Sequence, residues 1–403
     1  MHILHLERYF VKQTHSLQLY CKIKEHSDKK NIFLSNLTII FNHYTIKITM
    51  LKKINPIPTI CATIVLAYTF CAVKPLSKEI HFVTKWTVDC NKTSPDSNKI
   101  EPSQYIPFRL GQNAGYFTEE GRIAQTFTFP YKIAISPDDY CIYGTSDKSL
   151  KLVSKEGNQK KELKMQGFPF FQKDRKFLML PGGTSFVFLN ENFEPKWKFE
   201  NYVPITALDS TNEKVAAGYA DGSILIFDTD GKIEQQYEPG GSKYPVILGL
   251  AVSDDDLSTA SVSGQKQQRF TLAKKENGIT KIFFHEYLES DTTKQVLVKF
   301  SSAGDYCYFA HKDCLGIVNC KTLKSKHIPI KGDILSIEET GDKKNIFVLS
   351  KNDGIYSVSV IQKHSVYSGK FSFKAENACI TVKDNSLFVG RDSSISRVDI
   401  EFK

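Results

Sequence analysis

The sequence predicts an all-β fold made of repeated antiparallel units, because strand and turn patterns recur along most of the chain. The clearest unit runs from Ala216 to Glu238 and reads AAGYADGSILIFDTDGKIEQQYE. Its centre, Ser223 to Phe227, is a short apolar run that is typical of a strand buried between sheets. Asp221-Gly222 and Asp230-Gly231 flank this run, and Asp-Gly supplies the positive φ that tight hairpin turns need. The unit is therefore predicted to contain three consecutive antiparallel strands.

The same pattern recurs, and the turn before each central strand sets the register of the repeats. Eight such turns lie near Asn113, Asp147, Gly182, Asp221, Gln265, Asp313, Asp353 and Asp392. Successive turns are 34 to 48 residues apart, and a period of about 40 residues is typical of four-stranded propeller blades. An irregular β-sandwich would not produce such a period. We therefore predict a β-propeller with eight blades, or seven as the alternative.

Three segments carry a resemblance to a known family, namely YFTEEGRIAQTF, LNENFEPKWKF and FDTDGKIEQQY. They resemble the strand-turn-strand core of PQQ-like and WD-repeat-like bacterial β-propellers, which favour an Asp-x-x-Gly-Lys turn and a following aromatic residue. The resemblance covers about Ile80 to Lys403. Phe227-Asp228 stands where a WD repeat has Trp-Asp, and no Gly-His pair is present, so eukaryotic WD proteins are the poorer match.

The resemblance implies a rigid platform for protein partners, since this group of propellers includes scaffold subunits of outer-membrane protein assembly. Repeated blades also bring their loops together on two faces. PQQ-dependent dehydrogenases share the architecture, so a quinoprotein-like periplasmic enzyme is the alternative. However, the adjacent cysteines of many such enzymes are absent here, and only Trp86 and Trp197 could stack on a quinone. We therefore predict a non-enzymatic scaffold that has no cofactor, with a surface-exposed adhesin as a third reading.

A targeting pattern begins at Met50, where Met-Leu-Lys-Lys precedes a mostly apolar run from Ile57 to Val73. A basic start followed by an apolar run is typical of a signal peptide. The run contains Pro58 and is shorter than the roughly 20 residues of a spanning helix, so a signal peptide and a membrane anchor both remain open. We favour the anchor. The pattern predicts a periplasmic protein that is anchored in the inner membrane or secreted across it.

The same pattern sets the domain boundaries. A working signal is not normally placed behind a long upstream segment, so residues 1–49 are interpreted as a doubtful extension. Translation is accordingly expected to begin at Met50. Residues 50–76 are predicted to form the signal peptide or anchor, and residues 77–403 the propeller.

The composition argues against several function classes. The net charge of +9 is spread through every repeat, whereas a nucleic-acid site needs a clustered basic patch. The nine cysteines include no C-x-x-C pair, so buried free thiols are expected and no zinc site of the usual kind. No G-x-S-x-G elbow and no phosphate-binding loop is present. Gly240-Gly241-Ser242-Lys243 and Asp254-Asp255-Asp256 are interpreted as loop and turn structure. We predict no catalytic residue, no metal site and partners that are proteins of the cell envelope.

The candidate binding residues lie in the repeat from Ile247 to Thr293, which adjoins the two longest intervals in the register. Its central turn lacks Asp-Gly and is followed by Arg269, whose planar side chain offers bidentate recognition. Lys281, His285 and Glu286 follow in one predicted strand, where alternation places positions 281 and 285 on the same face. Extra loop on a rigid repeat often carries binding residues. The alternative is a loop that lengthened without any function.

The C-terminal repeat, Glu376 to Lys403, supplies only three strands: ACITV, SLFVG and SISRVDI. A propeller with an open ring would expose sheet edges. The segment His81 to Asp89 is therefore predicted to pair in the closing region, either as the outer strand of that blade or as the inner strand of the first.

Overall fold

The computed structural model describes residues 35–41, 44–50, 56–72, 80–172, 174–255, 257–364 and 366–402. Two compact units divide the chain, Met1–Ser77 and Lys78–Lys403. The first contains a hairpin of strands Ser35–Phe41 and Tyr44–Met50 and the helix Pro56–Ala72. This helix coincides with most of the predicted apolar run. Among the described residues, no helix is both long and apolar enough to span a bilayer. Residues 1–34 of the predicted extension lie outside the described residues.

The second unit consists of eight antiparallel sheets that follow one another along the chain as blades 1 to 8. Two short 3-10 helices, Ser97–Lys99 and Pro102–Gln104, precede blade 1. Blade 1 contains Ile106–Leu110, Asn113–Phe117 and Ile123–Thr128. Blade 2 contains Lys132–Ile135, Asp139–Tyr143, Leu150–Ser154 and Gln159–Leu163. Blade 3 contains Phe168–Gln172, Arg175–Met179, Phe186–Leu189 and Pro195–Phe199. Blade 4 contains Ile205–Ser210, Val215–Tyr219, Ile224–Phe227 and Ile233–Tyr237.

The remaining four blades have four strands each. Blade 5 contains Ile247–Val252, Ser258–Ser263, Arg269–Glu276 and Ile279–Tyr287. Blade 6 contains Val298–Phe300, Tyr306–His311, Cys314–Asn319 and Lys324–Pro329. Blade 7 contains Asp333–Glu339, Asn345–Asn352, Ile355–Gln362 and Val366–Lys374. Blade 8 contains Ala378–Lys383, Ser386–Arg391, Ser394–Phe402 and, from the start of the unit, Ile80–Asp89.

The eight-bladed prediction is confirmed, and the turn chemistry explains why. Seven of the predicted register turns lie between the second and third strands of a four-stranded blade, and Asn113 begins the middle strand of blade 1. In blade 4 the flanking glycines, Gly222 and Gly231, have φ of 92° and 81°. A positive φ of this kind is what glycine permits at low cost. Turns that are specified by a few neighbouring residues therefore set the strand boundaries along the whole ring.

The ring closes through strand pairing between its two ends. Ile80–Asp89 runs antiparallel to Ser394–Phe402, from Ile80 opposite Phe402 to Asp89 opposite Ser394. The segment is thus the outer strand of blade 8. Of the two closing positions predicted from the sequence, the outer strand is confirmed and the inner strand of blade 1 is wrong.

In the turns between the first two strands of a blade, acidic side chains accept hydrogen bonds from the turn itself. The Ser253 hydroxyl accepts a hydrogen bond from the Ser258 N–H at 3.0 Å and lies 3.1 Å from the Ser258 carbonyl oxygen. Asp255 accepts from the Ser253 hydroxyl and, at 3.1 Å, from the Leu257 N–H. In blade 7, the Thr340 hydroxyl contacts the N–H and the carbonyl oxygen of Asn345 in the same way. These contacts agree with the interpretation of Asp254-Asp255 as turn structure, while Asp256 lies outside the described residues.

Candidate functional site

Each blade is an antiparallel meander, so the connections between strands alternate between two ends of the propeller. We call the upper face the end that carries the links from the outer strands of blades 1 to 7 to the next blade. These links are 129–131, 164–167, 200–204, 238–246, 288–297, 330–332 and 375–377. In the seven four-stranded blades the turns between second and third strands lie at this same end, and in three-stranded blade 1 the turn between the first two strands does so. The first strands of neighbouring blades contact one another and line the axis.

Exposed tyrosines mark the upper face. Tyr131, Tyr202 and Tyr244 lie on three of its links, and Tyr202 is 99% exposed. Tyr287, the last residue of the outer strand of blade 5, reaches the same end and is also exposed. Tyrosine offers a large, rigid contact area with a polar tip, and it is enriched at protein interfaces. This end of the molecule is therefore suited to binding another protein.

An apolar cavity of about 520 Å³ lies along the axis at blades 2 to 6. Its lining includes Phe168, Leu208, Leu250 and Val296, together with the ring of Phe170, which is 39% exposed. The lining includes the first residues of several inner strands and the ends of second strands, and it continues to Gln172 and Asp209 near the ends of two inner strands. The cavity therefore runs along the axis and reaches the upper face. A volume of this size falls within the range of roughly 300–1,000 Å³ that is typical of binding pockets.

The polar side chains along this cavity are bonded to the protein itself. Gln172 donates to the Asp209 carboxylate, and Asp209 also accepts from the Val252 N–H at 2.7 Å. Gln295 donates to the carbonyl of Thr206. Because these groups already have partners, the cavity offers mainly apolar contact.

Backbone hydrogen bonds hold the tyrosine-bearing links in place. The Ile205 N–H donates to the Gly183 carbonyl at 2.9 Å, and the Ala220 N–H donates to the Pro204 carbonyl at 3.0 Å. In blade 5, the Gln265 N–H donates to the carbonyl of Tyr244 at 3.1 Å. Links that are fixed in this way lose little conformational entropy on binding, which favours affinity.

Arg269 lies on the upper face but acts on the protein's own backbone. Its guanidinium donates to the Pro239 carbonyl at 3.0 Å and lies 5.8 Å from the centre of the Tyr287 ring. Gly241 sits so close that a Cβ there would meet the Arg269 guanidinium at 2.8 Å. Arg269 therefore secures the link that carries Tyr244, which precedes the irregular repeat predicted from the sequence.

Lys281 and His285 lie apart, and the expectation that they share a face is wrong. The register shifts between Leu272 and Ala273, so that Lys281 faces Lys274 while His285 faces Thr271. Positions 274 and 271 are three residues apart in a regular strand, so their side chains lie on opposite faces. Lys281 forms an exposed ion pair with Glu276 at 3.3 Å, near the other end of the blade.

Glu286 belongs to a polar cluster that the sequence did not predict. Its carboxylate lies 2.6 Å from Nε2 of His327, and Nδ1 of His327 lies 2.9 Å from Nε2 of His311. Burial, followed by the neighbouring His327, lowers the pKa of His311 to about 4. His311 and His327 come from the next repeat, where only strand register brings them together.

The His311 shift predicts a pH dependence of stability. The folded protein favours neutral His311, so its contribution is complete above the unfolded pKa of 6.5 and is lost as the pH falls toward 4. We expect about 1–2 kcal/mol less stability at pH 5 than at pH 7, after allowance for partial exposure. Denaturant unfolding across this range measures it. His311→Asn should flatten the curve, and an unchanged slope in this variant would contradict the assignment.

The cysteine and acidic side chains that the structure describes form no further site of the usual kinds. Within the part of the chain that the structure describes, no three His, Cys, Asp or Glu side chains are arranged to hold a metal ion. Cys307, Cys314 and Cys320, which share blade 6, are free thiols, and Cys307 is buried. Burial raises the pKa of Cys320 to about 12, so this thiol stays protonated at neutral pH.

Comparison with known proteins identifies the family. A family model described as a beta-propeller protein matches residues 48–402. An uncharacterized protein of Treponema pallidum (strain Nichols) is 26% identical in an alignment of 349 positions, and the match covers 84% of this chain and 92% of the relative. The structure of BamB from Moraxella catarrhalis superposes with a TM-score of 0.53 at 14% identity, covering 79% of this chain and all of that one.

A more distant structural likeness, with a TM-score of 0.42 at 13% identity, is to the β-propeller domain of Cps50 (Swd1) from Myceliophteria thermophila. It covers 56% of this chain and 83% of that one. The finer resemblance to PQQ-like and WD-repeat-like repeats stays a prediction. The family model covers most of the chain, and its match agrees with the eight observed blades. This chain therefore belongs to a family of β-propeller proteins.

Proposed function

We propose that this β-propeller is a non-enzymatic scaffold of the bacterial cell envelope that binds a protein partner through its upper face. The observation that carries the proposal is the combination of exposed tyrosines with an apolar axial cavity that reaches the same end. Interfaces gain most of their affinity from a few aromatic anchors that lose water on binding. Tyr202 and Phe170 are the strongest candidates for such anchors.

The physical picture is an apolar segment of the partner that enters the cavity while surrounding loops contact the tyrosines. The polar groups of the cavity are already bonded within the propeller, so an apolar segment displaces water without leaving them unpaired. The fixed links present the tyrosines in one arrangement. Pre-organisation of this kind reduces the entropic cost of association.

The envelope location rests on the segment that begins at Met50. Its basic start and apolar run favour export across the inner membrane, and the described helix Pro56–Ala72 covers most of that run. Attachment to the membrane through this segment is part of the proposal. The likeness to BamB supports the fold on which the proposal rests.

A pull-down from envelope extract tests the partner-binding role. The full chain, tagged at its C-terminus, serves as bait, and mass spectrometry quantifies the proteins recovered. We expect Tyr202→Ala and Phe170→Asp each to reduce recovery of a specific partner by at least about tenfold, because anchor residues typically contribute 2 kcal/mol or more.

Tyr367→Ala is the matched control, since Tyr367 is also an exposed tyrosine but lies in the outer strand of blade 7 near the other end. It should leave recovery unchanged. Circular dichroism confirms that each variant is folded. Equal recovery with wild-type protein and with both upper-face variants would exclude this face as the binding surface.

A further inference from the structure

Three side chains form a hydrogen-bonded line across the seam between blades 5 and 6. The carboxylate of Glu286, in the outer strand of blade 5, lies 2.6 Å from Nε2 of His327. Nδ1 of His327, in the outer strand of blade 6, lies 2.9 Å from Nε2 of His311 in the second strand of that blade. An ionised carboxylate has no proton to donate, so His327 donates its Nε2–H to Glu286 and directs the Nδ1 lone pair at His311.

Strand register explains why both imidazoles point into this seam. His327 lies opposite Gly316, which lies opposite Phe309, and His311 follows Phe309 by two residues. All therefore share one face of blade 6. Phe309 stacks on Phe270 of blade 5 at 4.0 Å between ring centres, which identifies that face as the one toward blade 5. The pair thus borders an apolar cluster on one side.

We infer that His311 and His327 form a binding site for a late divalent transition-metal ion of the Zn²⁺ class. The metal would lie between Nε2 of His311 and Nδ1 of His327, where the two rings share one proton in the metal-free protein. Imidazole nitrogen is a preferred ligand of such ions. Water molecules complete the coordination sphere.

The geometry is close to what the metal needs. Zn–N bonds of about 2.0–2.1 Å in a tetrahedral site place the two nitrogens about 3.3 Å apart. The observed separation is 2.9 Å, so the nitrogens need to move apart only slightly, while both rings rotate until their lone pairs converge on the ion instead of on each other. The proton on His311 then moves from Nε2 to Nδ1, and both imidazoles remain neutral ligands. No proton is gained or lost overall.

Glu286 acts here as the positioning residue. A histidine that binds a metal through one nitrogen usually donates the other N–H to a carboxylate, which fixes its tautomer and raises its basicity. Glu286 has this relation to His327, and its second carboxylate oxygen is buried without a hydrogen-bond partner among the described residues. The His327 side chain is 31% exposed, which gives a metal ion access from solvent.

Calorimetric titration of the full-length, untagged protein with Zn²⁺ tests the inference. We expect one Zn²⁺ per chain in a component that His311→Asn and His327→Asn both abolish. Glu286→Gln keeps both ligands and should weaken this component by about 10–100-fold. Electron paramagnetic resonance with Cu²⁺ as a second probe should show coupling to two imidazole nitrogens in wild-type protein and to fewer in either histidine variant.

His285→Asn provides the matched control, because His285 neighbours Glu286 in the chain but faces the other side of the sheet. It should leave the component intact. Any Zn²⁺ binding by the five histidines in residues 1–49 should be the same in every variant, so it does not belong to this component. Circular dichroism establishes that the variants are folded, and His327→Gln replaces His327→Asn if that variant is not. A component that survives in either ligand variant, or its absence from wild-type protein, would overturn the site.

Discussion

Deletion of residues 78–92 is expected to destabilise the propeller by about 5 kcal/mol or more, because the closing strand supplies several partly buried apolar side chains. Phe82 packs against the cluster between blades 7 and 8, while Trp86 and Val88 pack against the cluster between blades 8 and 1. The strand also covers the hydrogen-bonding edge of Ser394–Phe402 along its whole length. A loss of this size corresponds to a fall in Tm of roughly 10 °C.

Differential scanning calorimetry of the deletion variant measures the effect. If the deleted chain does not fold, Val88→Asp offers a milder test of the same contact. Lys85→Ala, which changes an exposed residue of the same strand, should shift stability by less than about 0.5 kcal/mol. A deletion variant that melts at the wild-type temperature would show that the strand does not close the ring.

Features that depend on a few neighbouring residues were predictable from the sequence. The Asp-Gly turns of blade 4 and the repeat period fixed the number and order of blades, since each strand pairs with the next along the chain. The closing strand followed from the missing fourth strand of the last repeat. Its exact partner required the register with Ser394–Phe402, which no local pattern specifies.

The candidate sites depend on contacts between blades, and these lie beyond local patterns. A β-bulge opposite Leu272 and Ala273 separates Lys281 from His285, and alternation alone cannot reveal a bulge. The sequence also gives no sign that Tyr202 is fully exposed while Tyr219 is buried. His311 and His327 are joined by register, and Glu286 reaches them only because blades 5 and 6 stack.

The two tryptophans illustrate the same limit. Either could have stacked on a quinone according to the sequence, but both lock one blade to the next. The indole N–H of Trp86 donates to the Glu119 carbonyl at 3.2 Å, and that of Trp197 donates to the Thr229 carbonyl at 3.1 Å. Each ring covers a glycine in the turn of the adjoining blade, Gly121 and Gly231 respectively. Each contact joins neighbouring repeats, so it cannot be inferred from the spacing of these residues in the sequence.

Trp197→Ala is expected to cost about 3 kcal/mol, near the lower end for loss of a large aromatic side chain, because the indole is only partly buried. The ring lies 5.4 Å from the centre of Phe186 and 5.5 Å from that of Phe227, so its removal opens a cavity between blades 3 and 4. Denaturant unfolding gives the free energy of each variant.

A double-mutant cycle with Gly231→Ala shows whether the ring and the glycine are in contact. Gly231 has φ of 81°, and a Cβ there would meet the Trp197 ring at 2.6 Å. Gly231→Ala therefore suffers backbone strain of about 1–2 kcal/mol and, in addition, a steric clash. Removing the indole relieves only the clash, so Gly231→Ala should cost less in the Trp197→Ala background.

Gly278→Ala separates the two contributions. Gly278 lies in the corresponding turn of blade 5 with φ of 80°, and a Cβ there would have no neighbour within 4 Å. It should therefore show the backbone strain alone, in both backgrounds. If Gly231→Ala costs the same with and without the indole, and no more than Gly278→Ala, the glycine is required only by the turn. An excess cost over Gly278→Ala that is lost in the Trp197→Ala background would show that this ring packs on the turn of the next blade and limits residue 231 to glycine.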